Sequence, residues 1–282
     1  MSGSLDRPVV VLGAARSGTT MLATTLATHP DLAYWVEPKY VWRYGHPLAP
    51  DDRRGAAEAT PRVRRYIRRA FARFADRAGA PRFMEKTPSN CFRVPFVHAV
   101  LPEARFLHVV RDGRDVARSA VKKWTTPPDP TAIRRRLTSF EIPLRDFPFY
   151  VGAGIRDSIG RQLLPEQAFL WGPQFPGIRE VRAEHGVEVA CAVQWRESVL
   201  AARAGLAEVP AEQQFEVRFE ELVADPDSVL PAVLAFLGLG DGEAVIAHAR
   251  RHFHAAAAHR TEGERSPTDP YLQPLLADLG YQ

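Results

Sequence analysis

The chain has 282 residues, with 37 Lys and Arg against 33 Asp and Glu and a formal net charge of +4. It is 45% hydrophobic, 10% aromatic and 25% charged, a globular balance that excludes collagen-like, coiled-coil and wholly disordered chains. No apolar run is long enough to span a bilayer, which takes about 18 or more residues. Met1–Pro8 is polar and shows no apolar leader stretch, so a cytoplasmic protein without membrane insertion is expected. Cys91 and Cys191 are too few for a disulfide framework and cannot hold a structural zinc alone. Only Lys39, Lys86, Lys122 and Lys123 are lysines. The remaining cations are Arg, whose planar fork suits phosphate and sulfate oxygens.

Val9–Leu12 is a β-branched run between Pro8 and Gly13, which reads as a strand buried on both faces. Gly13–Gly18 follows as a small-residue loop, and Thr19–Thr28 has helix-forming composition that stops at His29-Pro30. Leu32–Trp35 reads as a second short strand, from which the chain leaves through Glu37 and Pro38. In Arg62–Arg77, Val63, Ile67, Phe71, Phe74 and Ala78 recur at helical spacing. A core stripe under a solvated basic face explains this better than a membrane or nucleic-acid helix. Arg82–Glu85 and Ala104–Val110 read as strands, Phe92–Leu101 and Arg114–Trp124 as helices, with Arg111-Asp112-Gly113 as a turn.

Thr125–Gly177 breaks the alternation and is rich in Pro and aromatics, as either an acceptor lid or an ordered cap. Beyond it, Glu188–Arg203 reads as helix, Gln214–Phe219 as strand, and Pro226–Leu237 and Glu243–Arg251 as amphipathic helices. His248 and His252 sit one turn apart without an acidic or Cys partner at useful spacing, so a solvated helix face is expected. Strands alternating with helices predict one α/β domain over residues 1–282 with a mainly parallel central sheet, 125–177 being an insertion.

Gly13-Ala14-Ala15-Arg16-Ser17-Gly18-Thr19-Thr20 carries the most chemistry. Its two glycines let backbone N–H groups converge on an anion at a helix start, where the helix dipole adds attraction. A nucleotide triphosphatase loop would place Lys after the second glycine, but Thr19 stands there and Arg16 lies inside the loop. Phosphoryl transfer normally needs Mg²⁺ and that Lys. A sulfuryl group carries less negative charge, so cations and hydroxyls of the protein can suffice without a metal. A second anion site is expected where Arg111 follows a buried strand at its carboxyl end. Ser119, about two helical turns on, can converge with it on one phosphate. Pairing of Arg111 with Asp112 or Asp115 is the competing structural explanation. His108, inside the strand, reads as a buried core histidine.

The string Arg16–Thr20 after a strand resembles the 5′-phosphosulfate loop of the sulfotransferase family, and Phe106–Ser119 resembles its 3′-phosphate motif. The resemblance implies a P-loop-like three-layer sandwich and 3′-phosphoadenosine 5′-phosphosulfate (PAPS) as donor. Arg16, Ser17, Gly18, Thr19 and Thr20 would hold the 5′ end, and Arg111 and Ser119 the 3′-phosphate. Val217–Leu222 with Asp225-Pro226 and Phe236-Leu237-Gly238 is similar to a further family block, in which Phe219 replaces a common Tyr at the adenine. Only Arg260 or Arg265 could stand in for the family's C-terminal basic loop. The bacterial and tyrosylprotein branch places a Glu after the first helix, and Glu37 occupies that place as the expected base, a structural ion pair with Lys39 or a nearby Arg being the competing explanation. Lys86 resembles a family cation on the moving sulfate, with Glu85 beside it to fix it. A small-molecule or glycan hydroxyl is then the acceptor, with no nucleic acid partner. A P-loop small-molecule kinase and a non-catalytic nucleotide-binding protein remain as alternatives.

Overall fold

The computed structural model describes residues 5–46, 49–125, 170–253 and 267–281. Strands β1 (Val9–Leu12), β2 (Leu32–Val36), β3 (Arg82–Lys86), β4 (Arg105–Val110) and β5 (Gln214–Arg218) form one sheet in the order β2-β3-β1-β4-β5. Every pairing is parallel. A parallel neighbour requires a crossover, and helices α1 (Thr19–Leu26), α2 (Lys39–Trp42), α3 (Pro61–Ala78), α4 (Val94–Val100), α5 (Gly113–Thr125) and α6 (Ile178–Leu206) occupy those links. After β5 come α7 (Phe219–Ala224), α8 (Pro226–Leu237), α9 (Glu243–His252) and α10 (Asp269–Asp278). The expected P-loop-like α/β sandwich is the fold this chain adopts.

The period-two alternation of β1 divides the core. Val9 and Val11 pack with Leu22 and Leu26 of α1 and with Leu230, Val233 and Leu237 of α8. Val10 and Leu12 face Ile67 and Phe71 of α3 and Val97 of α4. Both faces are therefore covered, which is why the strands read as unbroken apolar runs. Fully burying a large apolar side chain contributes about 1.5–3 kcal/mol. A third cluster lies beyond the strand ends, where Ala14 and Val110 meet Val116 of α5, Trp195 of α6 and Leu272 of α10. It supports the rim of the sheet on which the site is built.

Several local expectations change in three dimensions. The fifth strand ends at Arg218, and Phe219 opens a helix instead of closing a strand. The helix expected over Phe92–Leu101 begins as a 3₁₀ segment at Pro88 and becomes α-helical only from Val94. The helix around Glu188–Arg203 runs from Ile178 to Leu206, with a break at Gly186 where φ is 82°. Helix α3 sets Val63, Ile67, Phe71 and Ala75 against the core, and Thr60 caps it by accepting the Val63 N–H. His108 is buried and places Nδ1 3.3 Å from a Glu216 oxygen. His248 and His252 stack at 4.1 Å on α9, with Nδ1 of His248 3.1 Å from the Thr25 hydroxyl. No helix among the described residues is long and apolar enough to cross a membrane. Residues 126–169 of the Pro-rich segment, and Arg260 and Arg265, lie outside the described residues.

Candidate active site

Parallel register brings the strand ends together. Val11 is level with Lys86, Leu12 with His108, and Val36 with Lys86. The residues just past these positions (Gly13 after β1, Glu37 after β2, Arg111 after β4) therefore emerge along one edge of the sheet. Ligands of open α/β sheets bind at such carboxyl-end edges.

The loop after β1 is backbone-determined. Gly18 holds φ at 89°, and a Cβ there would lie 2.1 Å from Cδ2 of Phe219. Gly13 is also enclosed, with Cγ2 of Thr19 2.6 Å and the Val109 carbonyl 2.7 Å from any added Cβ. The first α1 bond runs from Leu22 N–H to the Gly18 carbonyl at 3.1 Å. The N–H groups before it have no intrahelical acceptor and are suited to an anion. Thr19 is buried at the helix start and Thr20 is exposed. The Ser17 hydroxyl is buried without a hydrogen-bond partner among the described residues, a donor that an anion's oxygen would satisfy.

Arg16 joins the two expected anion sites. Its Nε donates to the Ser119 hydroxyl at 3.0 Å, and Arg111 Nη1 donates to the Arg16 carbonyl at 3.4 Å. Burial and then the Arg111 charge lower the Arg16 guanidinium from its ordinary value. Two crowded cations of this kind favour a ligand that carries negative charge. Arg111 does take the alternative partner Asp115, at 3.5 Å, whereas Asp112 is held by Arg114 at 2.6 Å. The Arg111 Nε remains buried without a hydrogen-bond partner among the described residues, so part of its fork is available to a ligand. The guanidinium also lies 4.3 Å from the Phe219 ring centroid. Phe219 is thus wedged between Arg111 and Gly18 and is only 6% exposed.

Supports of this corner were not legible in the sequence. Trp195 Nε1 donates to the Arg111 carbonyl at 3.2 Å. Glu220 accepts from the Asp112 N–H at 3.0 Å and from the Tyr281 hydroxyl at 2.8 Å. The turn after β4 is therefore anchored by residues far along the chain.

Glu37 forms the second part of the site. Its backbone is left-handed, with φ of 50°, and Arg16 is likewise at 78°. Such non-glycine strain costs about 1–3 kcal/mol and concentrates at functional positions. The Glu37 N–H donates to the Lys86 carbonyl at 3.2 Å, and the Lys39 N–H to the Glu37 carbonyl at 2.7 Å. Lys86 Nζ then meets Oε1 at 2.6 Å and Lys39 Nζ meets Oε2 at 3.0 Å. Burial alone would raise the Glu37 pKa; Lys39 and Lys86 overcome it and bring the carboxyl down to about 2.

Lys86 is 3% exposed, at the end of β3. Its ion-pair partner is Glu37 rather than the adjacent Glu85. Glu85 points away along the strand alternation and accepts from Thr87 Oγ1 and Asn90 Nδ2, both at 2.6 Å. Asn90 in turn accepts from the buried Arg93 at 2.7 Å. Burial pushes the Glu85 carboxyl up to about 7. The native state then binds a proton between roughly pH 4.5 and 7 that the unfolded chain lacks, so stability falls as pH rises through that window. Denaturant melts at pH 5 and 8.5 should show the decline, by about 1.4 kcal/mol per pKa unit. Glu85→Gln should flatten it; an equal slope in the variant would assign the decline elsewhere.

Comparison with known proteins completes the description. The model of the sulfotransferase family matches residues 8–135 and 156–243. A 132-residue stretch is 26% identical to nodulation protein NoeE of Sinorhizobium fredii, covering 42% of this chain and 32% of that protein. Identity to the protein-tyrosine sulfotransferase of Drosophila melanogaster is also 26% over 132 residues, covering 43% of this chain and 26% of that protein. These matches thus span about a third or less of those relatives' length. Among solved structures, the sulfotransferase domain from the curacin biosynthetic pathway superposes with a TM-score of 0.60 at 15% identity, covering 99% of each chain. The sulfotransferase domain of the Synechococcus PCC 7002 olefin synthase gives 0.55 at 17% identity, covering 100% of this chain and 98% of that one. At such identities these two similarities establish the fold alone.

Proposed function

Because the chain belongs to the sulfotransferase family, we propose that it moves a sulfuryl group from PAPS to a hydroxyl acceptor, as a single transferase domain. The observation that carries this reading is the Arg16–Ser119 hydrogen bond with Arg111 on the Arg16 carbonyl. It joins the loop suited to the 5′ end of a bisphosphorylated adenosine to the helix suited to its 3′-phosphate. The donor fits residues present: the buried Ser17 hydroxyl and the Arg111 Nε both await an acceptor among the described residues. Phe219 supplies an apolar wall beside them, although it cannot donate a hydrogen bond as Tyr would.

Glu37 is the base in this reading. It is ionised at neutral pH and takes the proton of the acceptor hydroxyl. The freed oxygen pair forms the new bond to sulfur, and the bond from sulfur to the bridging oxygen breaks. Its electron pair stays on the 5′-phosphate of the departing adenosine 3′,5′-bisphosphate (PAP). Arg16 and Lys86 are the cations that would offset that developing charge. For the acceptor, a small-molecule or glycan hydroxyl is the reading we favour, with a tyrosine hydroxyl of a protein as the comparison.

Charge reversal at Arg111 tests the donor site. Arg111→Glu is expected to weaken PAP binding by calorimetry about 10- to 150-fold, since each charge-assisted bond contributes roughly 1.5–3 kcal/mol. Unchanged affinity, or ATP with Mg²⁺ bound more tightly than PAP, would remove the reading in favour of the kinase alternative. Transfer of radiolabelled sulfate from PAPS to pooled hydroxyl compounds separates an enzyme from a nucleotide-binding module.

A further inference from the structure

Glu37 is caught between two cations that arrive from different elements, Lys86 from the end of β3 and Lys39 from the first turn of α2. Each carboxylate oxygen has one of them, at 2.6 and 3.0 Å. Tyr34 on β2 also lies within reach of this carboxylate, whose charge, after burial and the Glu85 charge, helps raise the Tyr34 hydroxyl above its ordinary value. The Tyr34 hydroxyl is buried without a hydrogen-bond partner there and carries no charge at neutral pH. A carboxylate with both oxygens on ammonium groups is ionised but is a poor proton acceptor, because protonation must forfeit two ion pairs. The two lysines are not equivalent. Lys39 has 46% of its side chain exposed, whereas Lys86 has 3% and sits level with the residue that precedes Glu37 on β2.

We propose that Lys86 is a shared counter-ion, held by Glu37 when the nucleotide is absent and drawn off by the anionic 5′ end when it binds, so that donor binding itself turns Glu37 into an effective base. Lys39 is then the positioning residue that keeps Oε2 while Oε1 becomes available to the acceptor hydroxyl. This rests on the sulfotransferase reading above and adds an order to it. An acceptor that enters before the donor meets a base occupied by Lys86. A donor that enters first both supplies the sulfuryl group and releases the oxygen that needs it. Lys86 changes only its partner, so the release requires no co-reactant.

The prediction is read without an acceptor. Protein carrying glutamate labelled with ¹³C at the side-chain carboxyl is titrated from pH 3.5 to 7 by NMR, with and without PAP, and Glu37→Gln identifies the Glu37 signal. Without PAP the signal should be flat, still ionised at the lowest pH. With PAP its midpoint should rise by about 1–3 units, the effect of one opposite charge at this range, so that the signal bends at the acid end of the window or titrates within it. Lys86→Met should leave Glu37 with the same midpoint whether PAP is present or not. Lys39→Met should raise the midpoint while PAP still moves it further, and Lys39→Arg should restore the original value. A signal that ignores PAP while thermal stabilisation proves the nucleotide bound would overturn the shared counter-ion and leave the transferase reading standing. Absence of any PAP binding would overturn both.

Discussion

Glu37→Gln is expected to lower sulfuryl transfer from radiolabelled PAPS by about 10²- to 10⁴-fold in kcat, the usual contribution of a positioned general base. The amide has nearly the same shape and can still accept from Lys86 at the position where Glu37 Oε1 now stands 2.6 Å from Nζ. It lacks the charge and cannot take the acceptor proton. PAP binding separates this from misfolding. If the carboxylate competes with the nucleotide for Lys86, as proposed above, its loss should leave PAP affinity equal to wild type or a few-fold tighter. Turnover at the wild-type rate would exclude Glu37 as base. A loss of PAP binding and of turnover together would instead mark Glu37 as part of the scaffold of the strand end.

Gly18→Ala is expected to be the most damaging single methyl group in the site. At φ of 89° a Cβ is strained whatever space surrounds it, which costs roughly 1–2 kcal/mol. The same Cβ would lie 2.1 and 2.3 Å from two ring carbons of Phe219. The ring cannot retreat freely, because Arg111 lies over it with 4.3 Å to the centroid. Forcing atoms into such a packed site typically costs a further 1–3 kcal/mol. Thermal unfolding should fall by about 2–4 °C for each kcal/mol, and PAP stabilisation should be lost as the loop opens away from Arg111. Adding Phe219→Ala removes the clash and leaves the backbone strain. Recovery of part of the lost stability in the double variant is therefore expected, and no recovery would mean that the ring is not what opposes the methyl.

The two predictions act on different parts of one arrangement. Glu37 concerns charge at the end of β2, and Gly18 concerns the space in which a backbone can curl around an anion. Both depend on elements of the same sheet edge, yet they differ in how visible they were beforehand. The loop from Gly13 to Thr20 was legible because its chemistry is local: small residues, a cation and hydroxyls within one octapeptide that follows a strand. Arg111 and Ser119 were legible for the same reason, as neighbours on one strand end and the helix that follows.

What pairs with what was not local. Alternation alone predicts Phe219 as the last residue of a strand, and the chain puts it at a helix start against Gly18 and Arg111. Adjacency in sequence predicts that Glu85 fixes Lys86, but alternation along β3 turns the two neighbours in opposite directions. The last turn of the chain, through Tyr281 and Glu220, reaches the Asp112 N–H beside Arg111. Nothing in the spacing of these residues announces that contact.

Composition and alternating strand and helix signals thus determined the fold class, and two local strings supplied the reading of an anionic ligand, because buried strands and phosphate-type loops are written in consecutive residues. Tertiary structure decided the partners: Arg16 meets Ser119 from 103 residues away and Glu37 meets Lys86 from 49. Those meetings follow from parallel register, with Val36 level with Lys86 and Leu12 level with His108. Register is set by packing of whole sheet faces against helices, and no short stretch of sequence contains it.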